Sequence, residues 1–567
     1  MSDQLTYDLA QQTEASPSIF VKKDYLSIID NMGGSYSSSQ CVIDSSSLSN
    51  SNRYMGWRDA VIILPLIITL TSDTVGAGFA PGTTETSCDY AVSLKNWYGS
   101  MINSVQCDWN GIGVIQQMNL QGLWNTFKLM TSLSYNDILT QGAEIGFYPD
   151  SALSFVFSAA ATVNGRGTCN TMNLIAPTVV SGFWNSYDSG NIGFLKRQQY
   201  INYDPSGRTD PLGDQYLTLL SQPNAAAVWK SHIFQRTNGA AGARGSIQWC
   251  VNGLVKCKHL HDMFAKMPPL KGVYLKITLS LNNSSIVFSS AGLGGALDVV
   301  TATSNSGGVI PLQIASAGVG QGSAAAFGIN GNFTLSVAVG NTCLVTSQLG
   351  AAGVTTSPLS RSVMLSLPSY VFSPAYEMAY LASPVKKIDY EDTYSYTVLS
   401  IPPGGTFNAL ITNGIANLQK LLVLPAFTTA SNGGISPLYS PFDSFGTGTT
   451  SPLCILNNFQ VVVSGQNQLY NTQKYSYQQF VEQLAGINSI NSDSVDGLCS
   501  GLVGLLDFET LYNYYVCDIS RCLEVEKSVP RSITIQGMNM SAKNIDLYVF
   551  VSYMSSISVD VLSGARV

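Results

Sequence analysis

Histidines are the side chains in this sequence with the clearest potential for chemistry, and two of the three stand close together. His259 and His261 form an H-x-H pair followed by Asp262, and the third histidine is His232. On a β-strand, such imidazole and carboxylate groups would suit a metal ion. The segment KHLHDMFAKM instead has the pattern of a helix, in which residues i and i+2 point apart. The sequence therefore predicts a capped surface helix here and no metal site.

The other motifs with catalytic or binding potential are incomplete. Asp188-Ser-Gly190 is similar to an aspartic-protease loop, but the sequence has no second D-[ST]-G. The glycine-rich stretches 76–78 and 318–322 do not follow the phosphate-binding patterns and are interpreted as loops. No G-x-S-x-G nucleophile motif is present. We expect no enzyme activity, no catalytic residue and no cofactor, although motifs alone do not exclude the paired carboxylates of a glycosidase.

Composition points to an ordered protein with little surface charge. Of the 567 residues, 11% are charged, 45% hydrophobic and 10% aromatic, and the net charge is −7. Ordinary globular domains are about 25% charged. High aromatic content and low net charge exclude disorder for most of the chain. Because mixed surface charge keeps proteins apart in solution, we expect much of this surface to be buried against other copies of the chain.

The most apolar stretch is too short for a membrane span. Ala60–Leu70 has about half the roughly 20 residues that a spanning helix needs. Its β-branched residues and Pro65 favour a buried strand. The N-terminal sequence lacks the basic and apolar regions of a signal peptide. Eleven cysteines at wide spacing, with no C-x-x-C pair, predict buried free thiols in a reducing compartment.

Charge also argues against direct nucleic-acid binding. The first sixty residues contain four basic side chains and seven acidic ones, so the N-terminal region has no cationic arm to neutralise phosphates. The aromatic residues are not interleaved with lysine or arginine as a single-strand stacking platform would require. The sequence therefore predicts no sequence-specific contact with nucleic acid.

Strands dominate the secondary-structure pattern, with glycine, proline, asparagine and serine clusters between them. Three helices are predicted, at Gln121–Ser134, Lys258–Met267 and Tyr475–Asn488. The predicted strands are Cys41–Asp44, Ala60–Leu70, Val105–Trp109, Ile247–Val255, Val273–Leu281, Val363–Leu367, Tyr394–Ile401, Leu421–Leu424, Phe459–Val463, Ile533–Ile535 and Ile545–Tyr553.

An internal duplication appears at an offset of 354 residues, the distance from Asn103 to Asn457. The strand around Val105 and its following turn match the strand around Phe459, with the same inward parity. The next helix repeats an apolar stripe, in which Leu123, Phe127, Met130 and Leu133 correspond to Tyr477, Val481, Leu484 and Ile487. Asn119 and Ser476, the latter with Gln479 in a capping box, are the expected N-caps.

The duplication predicts an all-β chain of two tandem β-sandwiches with few short helices. We place an N-terminal arm at 1–35, the first sandwich at 36–375 and the second at 376–567. Within the first sandwich, 289–360 is rich in glycine, alanine and serine and contains one formal charge, Asp298. We expect this segment to be a long loop insertion that forms an outward tower.

Several stretches resemble a known family. In the first half these are Phe20–Ser72, Leu94–Gly111 and Phe127–Asp137. In the second half they are NFQVVVSGQNQLY (458–470), FVEQLAGINSIN (480–491), DFETLYNYYVCDISR (507–521) and VDVLSGARV (559–567). Together they resemble the double jelly-roll major capsid proteins of polinton-like viruses, with virophage and adintovirus capsid proteins as more distant relatives.

The resemblance implies a structural role in a virion. Three copies would form a homotrimeric pseudo-hexagonal capsomer, or hexon, that tiles the icosahedral capsid of a double-stranded DNA virus assembled inside the host cell. Penton and minor or cement capsid proteins would be further partners. The N-terminal arm and Ser563–Val567 are predicted to make lattice or minor-protein contacts. The resemblance is weakest at about 150–230 and 289–360.

The residues alone leave two other classes of function open. A carbohydrate-active β-sandwich, either a lectin or a glycosidase, is the main alternative, and a glycosidase would bring two carboxylates together in a cleft. An adhesin or surface-layer protein is the third possibility, against which the absent signal peptide and the odd cysteine count argue.

Overall fold

The structure, a computed structural model, contains two β-sandwiches connected by a short helix. It describes residues 19–34, 36, 39–48, 51–73, 90–150, 156–157, 167–168, 193, 196–197, 233–237, 246–291, 297–316, 330–340, 362–428, 436, 438–441, 454–470, 474–485, 502–510, 512–521 and 524–567.

The first half of the chain contains seventeen strands among the described residues. In chain order they are β1 (Phe20–Ile29), β2 (Gln40–Asp44), β3 (Tyr54–Met55), β4 (Val61–Ser72), β5 (Tyr90–Leu94), β6 (Ile102–Trp109), β7 (Ile112–Ile115), β8 (Val156–Phe157), β9 (Gly167–Thr168), β10 (Ile233–Thr237), β11 (Ser246–Lys256), β12 (Leu275–Leu281), β13 (Ser284–Ala291), β14 (Leu297–Ser304), β15 (Leu312–Ser316), β16 (Asn330–Val339) and β17 (Met364–Phe372).

Eight of these strands form the framework of the first sandwich. One sheet has the order β1-β17-β4-β11, and the facing sheet has the order β2-β12-β6-β7, all antiparallel. Strands β16, β13 and β14 extend the first sheet from the edge of β4 beyond the end of β17. The apolar run of β4 is buried along most of its length because strands flank both edges and the facing sheet covers one side.

The second half contains eight strands among its described residues, and all eight belong to its two sheets. They are β18 (Val385–Ile401), β19 (Thr406–Ile415), β20 (Leu418–Phe427), β21 (Leu456–Val463), β22 (Gln466–Asn467), β23 (Tyr515–Asp518), β24 (Arg531–Asn539) and β25 (Ile545–Asp560). The sheet orders are β18-β25-β20-β23 and β19-β24-β21-β22.

Both halves share one strand order. If the eight framework strands of each half are counted along the chain, the two sheets read first-eighth-third-sixth and second-seventh-fourth-fifth in both cases. This two-sheet, eight-stranded arrangement is the jelly roll. The chain is therefore an all-β double jelly roll, which confirms the fold class predicted from the sequence.

The 354-residue offset of the duplication also relates the bounds of individual strands. Strand β6 spans 102–109 and β21 spans 456–463, so their bounds differ by the predicted 354 residues. Each is followed by a two-residue hairpin turn with positive φ at both positions, at Asn110-Gly111 (48° and 84°) and Ser464-Gly465 (49° and 83°). Such type I′ turns match the right-handed twist of the flanking strands.

Seven α-helices lie in the described part of the chain. They are α1 (Gln121–Ser132), α2 (Tyr135–Ile145), α3 (Cys257–Leu260), α4 (Asp262–Lys266), α5 (Pro374–Leu381), α6 (Tyr477–Ala485) and α7 (Leu505–Thr510). The predicted helix at Lys258–Met267 is two shorter helices, and α2, α5 and α7 were not predicted. Residues 486–488 of the third predicted helix lie outside the described residues.

The predicted cap of α1 is wrong, whereas that of α6 is in place. Leu120, not Asn119, occupies the N-cap of α1, with φ 59° and no capping side chain. The backbone N–H of Leu120 instead donates to Oδ1 of Asn103, 3.3 Å away on β6. In α6, Oγ of Ser476 accepts the backbone N–H of Gln479 at 3.3 Å, which is one of the two bonds of the predicted capping box. The first cap is supplied by tertiary structure, which local sequence does not reveal.

The predicted arm and insertion both contribute strands. Residues 20–29, placed in the N-terminal arm, form β1 and pair with β17 from Phe20 to Ile29. Within the predicted insertion, 297–304 and 330–339 extend the first sheet, and 312–316 pairs with β5. Residues 317–329 and 341–360 of that segment lie outside the described residues.

The alternate apolar residues that the sequence places on the inward faces of the strands are buried in the core. Val105, Cys107 and Trp109 are buried on β6, as are Phe459, Val461 and Val463 on β21. All five cysteines that the structure describes as free are buried, as predicted. Burial raises the pKa of Cys257 to about 12, which keeps this thiol protonated. Among the described residues, no helix combines the length and apolarity needed to cross a membrane.

Candidate functional site at the joint between the two jelly rolls

The two jelly rolls meet at a contact that we call the joint, formed by α1, α3 and α4 of the first and by β18 and β25 of the second. Helix α1 has two apolar sides. Leu123, Phe127 and Met130 are buried, which confirms the predicted stripe for these residues. Phe127 packs edge-on against Tyr514 of the second jelly roll, with ring centroids 5.2 Å apart. Trp124 reaches across to Phe550 on β25, with ring centroids 6.3 Å apart. The helix thus belongs to both hydrophobic cores.

Gln121 anchors the start of α1. Its Oε1 accepts the backbone N–H of Val105 at 3.0 Å, and its Nε2 donates to the carbonyl of Leu260 at 2.9 Å. These two bonds tie α1 to β6 on one side and to α3 on the other. Because Gln121 is buried, losing either partner would leave an unsatisfied polar group, so the amide fixes the position of the helix.

Ion pairs and hydrogen bonds of charged side chains connect the first jelly roll to β18. Lys128 of α1 forms an ion pair with Glu391, with Nζ and Oε2 2.9 Å apart. The backbone N–H of Glu391 donates to Oδ2 of Asp262 at 2.9 Å, and Asp262 also pairs with Lys266 one turn later. Burial opposes the charged forms of Lys128 and Glu391, but each partner's charge outweighs it. The pKa of Lys128 therefore lies above its usual value, and the pKa of Glu391 lies below.

A second polar contact involves His261, which lies between α3 and α4. Its Nδ1 accepts the backbone N–H of Met263 at 3.2 Å and so caps α4. Its Nε2 lies 3.3 Å from Oδ1 of Asp392, whose Oδ2 accepts the hydroxyl of Tyr553 at 3.0 Å. Burial favours the neutral acid, but the hydrogen bonds from His261, the backbone N–H of Thr393 and the hydroxyl of Tyr553 outweigh it, so the pKa of Asp392 is lowered. Asp392 is held as an anion by groups from both jelly rolls.

A cavity of about 210 Å³ lies beside these pairs, lined by residues of α1, the α3–α4 segment and β18. His259 lines it, and its buried Nε2 has no hydrogen-bond partner among the described residues. Burial, with Lys258 and Lys256 nearby, lowers the pKa of His259 to about 4. The imidazole is therefore neutral at physiological pH. Each carboxylate that lines the cavity has a basic partner: Glu391 pairs with Lys128, Asp262 with Lys266 and Asp392 with His261.

Gly272 of the first jelly roll and Gly564 of the second form another close contact between the two jelly rolls, after the end of β25. The carbonyl of Gly564 accepts the indole N–H of Trp109 at 3.1 Å and the side-chain amide of Asn110 at 2.9 Å. A Cβ on Gly564 would lie 2.7 Å from the carbonyl carbon of Gly272, and one on Gly272 would lie 2.8 Å from the carbonyl oxygen of Ser563. Both glycines also have positive φ. A larger residue at either position would therefore meet a steric clash and would also adopt an unfavourable backbone conformation.

The candidate residues of the sequence analysis fall in two groups. His259 and His261 both lie at the joint, on opposite sides of Leu260, where His261 binds Asp392 and His259 packs edge-on against Trp97. The predicted surface helix is therefore wrong, because Leu260, Met263 and Phe264 are buried. His232, the Asp188-Ser-Gly190 motif and the two glycine-rich stretches lie outside the described residues. Within the described residues, no group of three or more histidine, cysteine, aspartate or glutamate side chains could hold a metal ion.

The sequence analysis missed the charged residues of the joint. Lys128 is the single charge in the helix QGLWNTFKLMTS, in a chain that carries few charges. That isolation on an otherwise apolar helix was the available signal for a buried pair. Its partner Glu391 lies 263 residues away, a distance over which sequence pattern does not indicate pairing.

Comparisons with known proteins find distant structural likeness. No family model matches the chain. The probable E3 ubiquitin-protein ligase HERC3 of Homo sapiens is 24% identical over 159 residues, or 24% of this chain, and the chain spans 15% of that protein's length.

Three solved structures are similar over nearly the whole chain at low identity. A chain in the 3.5 Å cryo-EM structure of the Sputnik virophage aligns over 97% of this chain and 88% of its own, at 12% identity and TM-score 0.43. The mavirus major capsid protein aligns over 96% and 89%, at 9% identity and TM-score 0.46. The Faustovirus major capsid protein aligns over 94% and 90%, at 10% identity and TM-score 0.40.

Proposed function

We propose that this chain is a structural major capsid protein rather than an enzyme. In this proposal three copies form a pseudo-hexagonal capsomer, and capsomers tile the icosahedral shell of a double-stranded DNA virus. The observation that carries it is the duplicated strand order, in which two jelly rolls of the same topology stand side by side in one chain. The sequence resemblance to capsid proteins of polinton-like viruses, which covers stretches of both halves, supports the same function.

The physical argument rests on symmetry. A ring of three chains, each with two similar units, offers six similar sides to its neighbours, so it can occupy hexagonal positions in a closed lattice. The two units must then keep a fixed relative orientation. The ion pairs, the shared helix α1 and the glycine contact of the joint supply such a constraint.

The remaining parts of the proposal concern domains and partners. We place the domain boundary near 375, in the segment where α5 separates β17 from β18, with β1 added to the first jelly roll. Neighbouring capsomers, a penton protein and minor or cement proteins would be the partners, and the virion shell, assembled inside the host cell, the location. The outward tower at 289–360 stays a prediction.

Light scattering on the purified chain, followed by electron microscopy, tests the proposal. We expect a stable particle of three chain masses and, at high concentration, pseudo-hexagonal arrays or closed shells. A folded chain that remains monomeric at all concentrations and salt conditions would contradict the capsid function. Hydrolysis of a glycan by the purified chain would favour the carbohydrate-active alternative instead.

A further inference from the structure

The packing of His259 at the joint suits the neutral imidazole ring and not its protonated form. The ring lies edge-on against Trp97, with ring centroids 6.4 Å apart. Its Nε2 is buried and has no hydrogen-bond partner among the described residues. A neutral imidazole carries one N–H group, whereas an imidazolium carries two and needs an acceptor for each. Protonation would therefore place an N–H group at Nε2 in a buried position without an acceptor.

The charges closest to His259 also oppose its protonation. Lys258 precedes it on α3, and Lys256 ends β11, where its Nζ lies 2.7 Å from Glu144. Within the described residues, no carboxylate forms an ion pair with His259, because those that line the cavity are bound to Lys128, Lys266 and His261. Burial, followed by the charges of the two lysines, lowers the pKa of His259 to about 4.

The elements around His259 carry charged or titratable side chains of both signs. Asp59, which belongs to the short 3-10 turn packed against α3, is exposed to solvent. The full set comprises Lys95 in the segment of Trp97, Arg58 and Asp59 in the turn 57–59, Lys128 on α1, Glu144 on α2, Lys256 on β11, Cys257 and Lys258 on α3, His261 after α3, Asp262 and Lys266 on α4, and Glu391 and Asp392 on β18.

The backbone connects His259 directly to contacts between the two jelly rolls. The next residue, Leu260, supplies the carbonyl that accepts the side-chain amide of Gln121 at 2.9 Å. The following residue, His261, has its Nε2 3.3 Å from Oδ1 of Asp392 on β18. Helix α3 has only four residues, so a movement that brings His259 into water also displaces these two neighbours. Exposure of His259 is therefore coupled to loss of contacts at the joint.

We propose that the joint is acid-sensitive, and that protonation of His259 displaces α3 and weakens the contact between the two jelly rolls. The inference concerns the folded chain by itself, so it does not depend on the capsid function. In water, His259 would have its usual pKa of 6.5, whereas in the closed joint its pKa is about 4. The closed joint is therefore most stable above about pH 6.5, loses stability as the pH falls toward 4, and changes no further through this group at lower pH.

The carboxylates of the joint do not titrate in the upper part of this range. The pKa of Glu391 is lowered because the charge of Lys128 outweighs burial, and the pKa of Asp392 is lowered because its hydrogen bonds outweigh burial. Both groups are therefore ionised at about pH 5, where a hydrated histidine is already protonated. A comparison of pH 7 with pH 5 thus separates the effect of His259 from that of these acids.

Amide hydrogen exchange of the full chain, measured by mass spectrometry at about pH 7 and about pH 5, tests the proposal. The informative amides are those of Met263, which donates to Nδ1 of His261, and Glu391, which donates to Asp262. After correction for intrinsic exchange rates, their opening equilibrium should rise about twentyfold at the lower pH, the value that linkage gives for these two pKa values. Amides of β24, in the core of the second jelly roll, should change far less.

His259→Phe removes the titrating group and breaks no hydrogen bond at Nε2. The variant should show the same opening equilibrium at both pH values. His232→Phe, the same substitution at a histidine outside the α3–α4 segment, is the matched control and should keep the full acid response. An equal acid response in the wild type and His259→Phe would overturn the proposal, and so would a wild type that shows no response.

A second measurement on the wild type remains decisive if His259→Phe does not fold. Deuterium exchange at the imidazole Cε1–H, followed by fragmentation of the peptide that contains both His259 and His261, gives the titration midpoint of each histidine. We expect a midpoint near pH 4 for His259, in accord with its lowered pKa. A midpoint of about 6 or higher, the range of a hydrated histidine, would show that the joint does not exclude the protonated ring and would overturn the proposal.

Discussion

The two jelly rolls share a strand order but differ in what covers their sheets. In the second, Trp124 of α1 lies over the outer face at Phe550, and ion pairs fix the edge at Glu391. In the first, the outward residues of β1 are exposed. A duplicated fold has thus kept its framework while the two copies of one helix acquired different partners. Topology is the same in both halves, and side chains decide which surfaces stay available.

Removing the aromatic contact should give the largest effect. We expect Trp124→Ala to lower the free energy of unfolding by about 3 to 5 kcal/mol, because it leaves a cavity between two cores. The corresponding change on the other helix, Gln478→Ala, should alter it by no more than about 0.5 kcal/mol, since this side chain is exposed. Urea unfolding of both variants measures the difference. Equal losses would show that the two helices are not as different as their burial implies.

Breaking the ion pair of the joint should cost less. We expect Glu391→Gln to destabilise the chain by about 1 to 3 kcal/mol, because Lys128 then loses its charged partner in a partly buried site. Asp389→Asn is the matched control on the same strand, where both members of the Lys387–Asp389 pair are mostly exposed. The control should change stability by about 0 to 1 kcal/mol in the same unfolding assay. A control loss as large as that of Glu391→Gln would contradict a special role for the joint.

Making the two hairpin turns alike should have the smallest effect. The first turn has asparagine and the second has serine at a position with φ near 50°. Because asparagine tolerates this left-handed conformation better, Ser464→Asn should stabilise the second jelly roll by up to about 0.5 kcal/mol. Ser464→Ala should be destabilising in the same thermal melts. A loss of stability in Ser464→Asn would mean that Ser464 has a role other than forming the turn.

The framework strands could be predicted from the sequence because each one shows its inward face as an alternation of apolar residues. Alternation at Val105, Cys107 and Trp109 set the inward face of β6, and its repetition at 459–463 identified the second copy. Strand β1 lies in the segment predicted as an arm, and its lysines and aspartate disrupt the apolar alternation that would mark an edge strand. The rule of local capping failed at Leu120, where the acceptor comes from β6.

The joint could not be predicted because its partners are distant in sequence. The contacts between Lys128 and Glu391 and between His261 and Asp392 span 263 and 131 residues. The isolation of Lys128 on its helix indicates a buried pair but not the identity of the partner, and only the packing of two complete domains brings the groups together. His261 illustrates the difficulty, since the same H-x-H pattern suits a metal ligand, a surface helix or, as observed, a cap between two short helices.

The bond from Trp109 to the carbonyl of Gly564 has a consequence for synthesis of the chain. The two residues are 455 positions apart, so the indole N–H of Trp109 can reach this acceptor only after residue 564 has left the ribosome. Domains generally fold as units during translation, starting from the N-terminal one. The first jelly roll therefore emerges with its C-terminal contact unmade, and the joint is completed after translation of residue 564. Association between copies that depends on a fixed joint is thereby restricted to chains that have been synthesised through residue 564.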